Sequence, residues 1–174
     1  RDIDPLNLSG RLPKNAISGS FSWQGQPCSI LVRGGKVVRN WSCHYPRPES
    51  VLYKIPGGAV RIARVSSAAA LGGVVWAVGG MGLLGNYNPA AEGFAGVFSD
   101  VLRKTNHTVL GYKGGMLYGV YCKNMTAQQV NAFVRGKLKL EYAVMLDGGH
   151  VAAIHAAVSR INTNQRQYYA VRFL

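Results

Sequence analysis

The stretch from residue 108 to 150 contains Thr108-Val109-Leu110-Gly111-Tyr112, a link Lys113-Gly114-Gly115, Met116-Leu117-Tyr118-Gly119-Val120-Tyr121, then Thr126-Ala127-Gln128-Gln129-Val130, and finally Glu141-Tyr142-Ala143-Val144-Met145-Leu146-Asp147-Gly148-Gly149-His150. The first and third pieces are rich in β-branched and aromatic residues on either side of a glycine turn, which predicts two strands of a hairpin. Thr126 followed three residues later by Gln129 is a capping box; Val130, Phe133 and Val134 then line one helix face before Gly136 ends it. The last piece is an apolar strand that delivers Asp147, two glycines and a histidine to its end. Strand, strand, helix and strand together predict an α+β fold: a single domain whose mixed, mostly antiparallel curved sheet packs against a few helices.

Working outward, residues 167–174 alternate as a last strand, residues 16–23 read as another, and residues 27–39 form a hairpin around Gly34-Gly35. Residues 60–65 read as a short strand and 74–78 as a buried one, while Ser66-Ser67-Ala68-Ala69-Ala70-Leu71 starts a short helix that Gly72-Gly73 stops. Pro46, Pro48 and Pro56 break the segment between. Pro5 and Pro13 mark residues 1–13 as an extended N-terminal arm ahead of a domain spanning 14–174. No internal repeat is visible.

With 48% apolar and 16% charged residues, the chain is neither disordered nor a coiled coil. Twenty Lys and Arg against seven Asp and Glu give a net charge of +13, which points to an anionic partner: nucleic acid, a cell-wall polymer such as teichoic acid, an acidic membrane surface or a phosphorylated small molecule. The basic residues are scattered, and the densest run, Arg135-Gly136-Lys137-Leu138-Lys139, is too short for a nucleic-acid arm. The most apolar stretch, residues 71–84, falls short of the roughly 20 residues that a transmembrane helix needs. The chain begins at Arg1, as a processed or trimmed product would, so a missing leader carries no information.

Several chemistries lack their residues. His44, His107, His150 and His155 are dispersed, and Cys28, Cys43 and Cys122 have no Cys-x-x-Cys spacing, so no metal site is expected. Cys28 and Cys43 fall on the two legs of the Gly34-Gly35 hairpin, offset by about two residues; a bridge is compatible with this spacing, but free thiols are the expectation. Neither a Gly-x-Ser-x-Gly elbow nor a phosphate-binding glycine loop occurs, and no cofactor is implied. Locally, Asp147-Gly148-Gly149 reads either as a hairpin turn or as a carboxylate presented at a sheet rim. A glycosidase pairs two carboxyl groups about 5 to 9.5 Å apart. Six residues of strand put Glu141 about 20 Å from Asp147. Among Glu49, Glu92 and Asp100, the best second carboxylate is Glu92, in a glycine-rich loop.

Taken as an ordered series, these segments resemble the phosphodiester glycosidase family. The resemblance is carried by Ala77-Val78-Gly79-Gly80 with Leu83-Leu84, by His107-Thr108-Val109-Leu110-Gly111-Tyr112, by Met125-Thr126 opening a helix, and by Ala143-Val144-Met145-Leu146-Asp147-Gly148-Gly149. Upstream, Asn15-Ala16-Ile17-Ser18-Gly19-Ser20-Phe21 looks like the family's Asn-Gly-Phe-Phe strand. Coverage is nearly the whole chain after residue 13. His150 and Val151 stand where the family has glycine and serine, and His107 where it often has arginine. The resemblance implies hydrolysis of the bond between a sugar's anomeric carbon and a phosphodiester, in a sugar-phosphodiester or a nucleotide-linked sugar, by a secreted or cell-envelope enzyme. Asp147 would act at the anomeric centre, with His107 and His150 moving protons and Glu92 as the second carboxylate. Lys14, Arg103 and the Gly148-Gly149 backbone would hold phosphate oxygens, and Asn15, Ser20 and Thr108 would contact substrate. The alternative from another class is a non-catalytic basic module that binds an anionic polymer.

Overall fold

The continuous apolar run 143–146 has no polar face to give to water, so its strand needs a cover on both sides. A computed structural model describes residues 2–94, 101–163 and 165–174 and supplies both covers. The strands in chain order are β1 (Ile3–Gly10), β2 (Ala16–Ser18), β3 (Ser22–Trp23), β4 (Gln26–Pro27), β5 (Leu31–Arg33), β6 (Lys36–Arg39), β7 (Glu49–Lys54), β8 (Val60–Val65), β9 (Trp76–Gly82), β10 (Thr105–Lys113), β11 (Met116–Met125), β12 (Tyr142–Gly148), β13 (Ile154–His155), β14 (Arg160–Ile161) and β15 (Gln167–Phe173).

Among the described residues these strands form three sheets: five strands in the order β1-β15-β2-β13-β14, eight strands built on β11-β10-β12-β9-β5-β6 with β7 and β8 branching from β9, and the small hairpin β3-β4. Successive side chains of a strand face opposite ways. Val144 and Leu146 therefore join Ile17, Tyr169 and Val171 in the core between the two large sheets. Ala143 and Met145 face the other way, into a second core closed by Ala127, Val130 and Val134. Asp147 is the first polar residue beyond this doubly covered run.

The expected α+β class with a mixed sheet on a few helices is overturned. The structure is 47% strand and 15% helical, every described ladder is antiparallel, and among the described residues there is one α-helix, α1 (Ala127–Phe133). Part of the physical reason is connection length: tight turns join β3-β4, β5-β6, β7-β8, β10-β11 and β13-β14, which must then run antiparallel, since a parallel pair would need a crossover of a dozen residues or more. The alanine segment makes only one 3-10 turn, Ala68–Leu71. The capping box of α1 is present in both directions, but Gly136 does not stop the chain from coiling: a π turn, Val134–Leu138, continues to Lys139 in the left-handed region at φ 51°.

Two segments carry more structure than their composition suggests. The arm contributes β1, which pairs with β15 from Ile3↔Phe173 to Gly10↔Gln167. Its acids pin it across both sheets: Asp2 to Lys54 at 2.6 Å, and Asp4 to Arg33 and Arg172 at 2.7 and 2.9 Å. The proline-broken segment yields β7, which begins at the buried Glu49 and runs along β9.

Candidate functional site

Asp147 sits at the end of β12, where the apolar floor stops, and both its backbone and its carboxylate are held. Its N–H donates to the Gly19 carbonyl at 3.0 Å, and its carbonyl accepts from the Thr108 hydroxyl at 2.6 Å. Oδ1 accepts the Gly148 N–H at 2.9 Å, and Oδ2 accepts from Ser22 Oγ at 3.4 Å. Gly148 is extended, and a Cβ there would come within 2.6 Å of the Asn106 carbonyl, so only glycine lets β12 pass this close to β10. Gly149, at φ +62°, turns the chain into a single 3-10 turn through Val151. The Asp-Gly-Gly string is thus not a hairpin: it carries the chain out of the sheet just after the carboxylate.

The sequence-derived candidates divide into three groups. Thr108, Gly148, Gly149 and Ser20 are brought to Asp147. Thr108 is fully buried and braces β12, its hydroxyl also within 3.5 Å of the Ser18 carbonyl. Ser20, next to the glycine that binds the Asp147 amide, is 2% exposed, and its hydroxyl has no hydrogen-bond partner among the described residues. His150 and Arg103 are exposed at the rim, each on a segment that flanks the His107↔Gly148 pair.

Glu92, His107, Lys14 and Asn15 are placed otherwise. Glu92 is completely buried, and its two oxygens are filled by Ser50 Oγ at 2.8 Å, Arg64 at 2.7 and 3.1 Å, Gly82 N–H at 2.9 Å and Ser50 N–H at 3.3 Å. A buried carboxylate with five donors is structural, and no lone pair is left for a substrate. His107 is 1% exposed, its ring bonded to the carbonyls of Met125, at 2.8 Å, and Arg103; burial holds its pKa below the usual range. It fixes the start of β10 under Gly148. Lys14 and Asn15 lie upstream of β2, and four residues of strand separate Asn15 from Gly19 by about 13 Å. Asp100 falls outside the described residues. Glu141 accepts the Gly114 N–H at 2.9 Å at the opposite end of β12, as the count of residues requires.

Further residues surround Asp147 in the candidate site: Ser22 and Arg39, which the sequence did not single out, and Cys28, Cys43 and Glu49, which it weighed in other roles. The β3-β4 hairpin carries Ser22 to Asp147, and Cys28 follows it; its pKa is raised first by its hydrogen bond to Cys43, then by burial, with a smaller share from the nearby Asp147 carboxylate. Arg39, at the end of β6, places its charge by Cys28 and Cys43. Behind them lies Glu49, whose Oε1 accepts the Ile30 N–H and whose pKa burial pushes up to about 8. Apart from the hairpin spacing of Cys28 and Cys43, these pairings have no local signal, because the partners are far apart in the chain. Among the described residues, no group of three or more His, Cys, Asp or Glu is arranged to hold a metal ion, and no helix is long and apolar enough to cross a membrane.

The buried Glu49 gives a pH signature. Its folded value of about 8 lies above the ordinary 4.5, so between these values the folded state holds a proton that the unfolded state releases. Stability from this group is then full below about pH 4.5 and is lost as pH rises toward 8. Glu49→Gln keeps the shape without the ionisation. Thermal melts from pH 5 to 8.5 should show a decline in the wild type that is flattened in the variant; parallel curves would contradict the assignment.

No family model matches the chain, and no curated protein matches it in sequence. Among solved structures it is similar to the catalytic domain of zebrafish N-acetylglucosamine-1-phosphodiester alpha-N-acetylglucosaminidase, auto-inhibited by its pro-peptide. The TM-score is 0.74 at 16% identity, over 99% of this chain and 73% of that one. It is also similar to a hypothetical protein from Synechocystis, with a TM-score of 0.64 at 10% identity, over 98% of this chain and 56% of that one. Likeness at such identities concerns the course of the backbone, and in that respect the chain is related in fold to the zebrafish glycosidase's catalytic domain.

Proposed function

We propose that the chain is a hydrolase of the phosphodiester glycosidase type, cleaving the bond between a sugar's anomeric carbon and a phosphodiester oxygen. The observation that carries this reading is Asp147: a carboxylate at the end of a doubly covered strand, oriented through the Gly148 amide and Ser22, on a fold like that of a phosphodiester glycosidase's catalytic domain. As the glycosidic bond breaks, positive charge grows on the anomeric carbon, and a fixed carboxylate lowers its energy. A phosphodiester leaves as a weak base and needs little general-acid help, which fits a site where the other candidate carboxylates, Glu92 and Glu49, are buried. In this reading, Arg39 and Arg103 supply positive charge for the phosphate oxygens, and the exposed His150 moves the proton of the attacking water.

The test is a panel of sugar-phosphodiesters and nucleotide-linked sugars incubated with the protein, with products identified by mass. Release of the free sugar with retention of the phosphate on the other product is expected. Salt-sensitive binding of long polyanions with no product formed would overturn the reading in favour of a basic binding module, which the +13 charge would serve.

A further inference from the structure

Two cysteines that the proposed hydrolysis does not use meet beside the site. Cys28 follows β4 and Cys43 follows β6. The Cys43 N–H donates to the Cys28 carbonyl at 2.7 Å, and the two thiols hydrogen-bond to each other. Segments joined by a direct main-chain bond of this kind hold their Cα atoms about 5 to 6 Å apart, within the range that a disulfide spans. Both thiols are free: Cys43 is exposed, Cys28 half-buried and Cys122 buried.

The surroundings make the pair unequal. Arg39 from β6 favours a thiolate at either sulfur, Asp147 from β12 disfavours one at Cys28, and Glu49 from β7 and Tyr169 from β15 are the other titratable groups around the pair. The hydrogen bond from Cys28 lowers the Cys43 pKa to about 7, and the same bond, with burial, raises that of Cys28. An accessible, acidic thiol with a protonated neighbour in contact is the arrangement of an attacking and a resolving cysteine. In addition, the Cys28 N–H donates to the Phe21 carbonyl at 2.7 Å, so Cys28 anchors the β3-β4 hairpin that presents Ser22 to Asp147.

We propose that Cys43 and Cys28 form a redox-active dithiol site that takes small disulfides of the oxidised glutathione class. The Cys43 thiolate attacks one sulfur of the disulfide, forming a mixed disulfide and expelling one thiolate, which takes up a proton. Cys28 then loses its proton and attacks Cys43 Sγ, closing the Cys28–Cys43 bond and releasing the second thiol. Two protein thiols are oxidised while one disulfide is reduced to two thiols, so electrons and protons balance. The bond ties the Ser22 hairpin to the loop after β6 at the edge of the candidate site. None of this depends on the glycosidase reading.

The experiment treats the reduced chain with oxidised glutathione and follows intact mass and alkylated peptides for the wild type, Cys28→Ser, Cys43→Ser and Cys122→Ser. The wild type and Cys122→Ser should each lose two hydrogens and yield a linked Cys28–Cys43 peptide. Cys28→Ser should stop at one glutathione on Cys43, and Cys43→Ser should leave Cys28 unmodified. A bridge that includes Cys122, a wild type that stays reduced, or equal trapping of glutathione in the two single variants would overturn the proposal. The wild type provides a measurement free of any variant: iodoacetamide should alkylate Cys43 with half-maximal rate near pH 7, and at neutral pH about ten-fold faster than Cys122. A midpoint near pH 9, the ordinary thiol value, would overturn it equally.

Discussion

Replacing Asp147 with asparagine is expected to abolish the proposed release of sugar from a sugar-phosphodiester while the protein stays folded. The amide is isosteric and keeps an oxygen for the Gly148 N–H and a second polar atom opposite Ser22, so the strand end is preserved. What disappears is the negative charge. In a partly enclosed site, charge aimed at a developing cation is worth several kcal/mol, and turnover should fall by roughly a thousand-fold or more. The check pairs kcat/KM on the best substrate of the panel with a thermal melt of the same sample. Turnover within a few-fold of the wild type, at an unchanged melting temperature, would remove Asp147 from the chemistry.

The largest effect on stability is expected from Arg64→Met. Arg64 is the only cation bonded to Glu92 among the described residues, at 2.7 Å, with the Glu92 side chain 0% and the Arg64 side chain 30% exposed. Removing it leaves a buried anion held by neutral donors only, and Arg64 also gives up its bond to the Asn86 carbonyl. Breaking a buried pair in this way costs about 3 kcal/mol, the low end of the usual range because Arg64 is partly solvated. Adding Glu92→Gln to the same chain removes the unpaired charge and should recover much of the loss in urea unfolding midpoints. A variant as stable as the wild type would mean that Ser50 and Gly82 suffice for Glu92. Activity helps to separate the roles: if Glu92 is structural, Glu92→Gln lowers stability with kcat nearly intact, whereas a general acid would lose most of kcat.

Strand positions were largely legible in the sequence, and sheet arrangement was not. The residues of β8 coincide with the expected 60–65, β10 and β11 extend the expected hairpin around Gly114-Gly115, and the Thr126 capping box forms as its spacing requires. These features rest on contacts within a turn or along one strand, where residue type and spacing act directly. The fold class failed because an antiparallel and a mixed sheet share the same alternation, and only strand order and direction distinguish them. The arm was assigned from its prolines, yet Ile3 is 4% exposed and Pro5 pairs with Val171 at the edge of a sheet, which tolerates a missing N–H.

The site shows the same division. Asp147 was found because a carboxylate ends an apolar run and two glycines follow it, which is a local pattern. Glu92 was chosen by elimination among carboxylates, and its Arg64 partner 28 residues away gave no sign of itself. Ser22 reaches Asp147 across 125 residues, and whether the compatible hairpin spacing of Cys28 and Cys43 becomes a contact was decided by the loops after β4 and β6 lying side by side. By itself the sequence determined several of the strands, though not β1 or β7, where the helix is capped, and which carboxylate stands at a strand end, since each is decided by neighbours in the chain. The tertiary structure alone decided which carboxylates are buried and neutralised, which thiols touch and which hydroxyl faces Asp147, because burial and charge pairing depend on residues that only the packed sheets bring together.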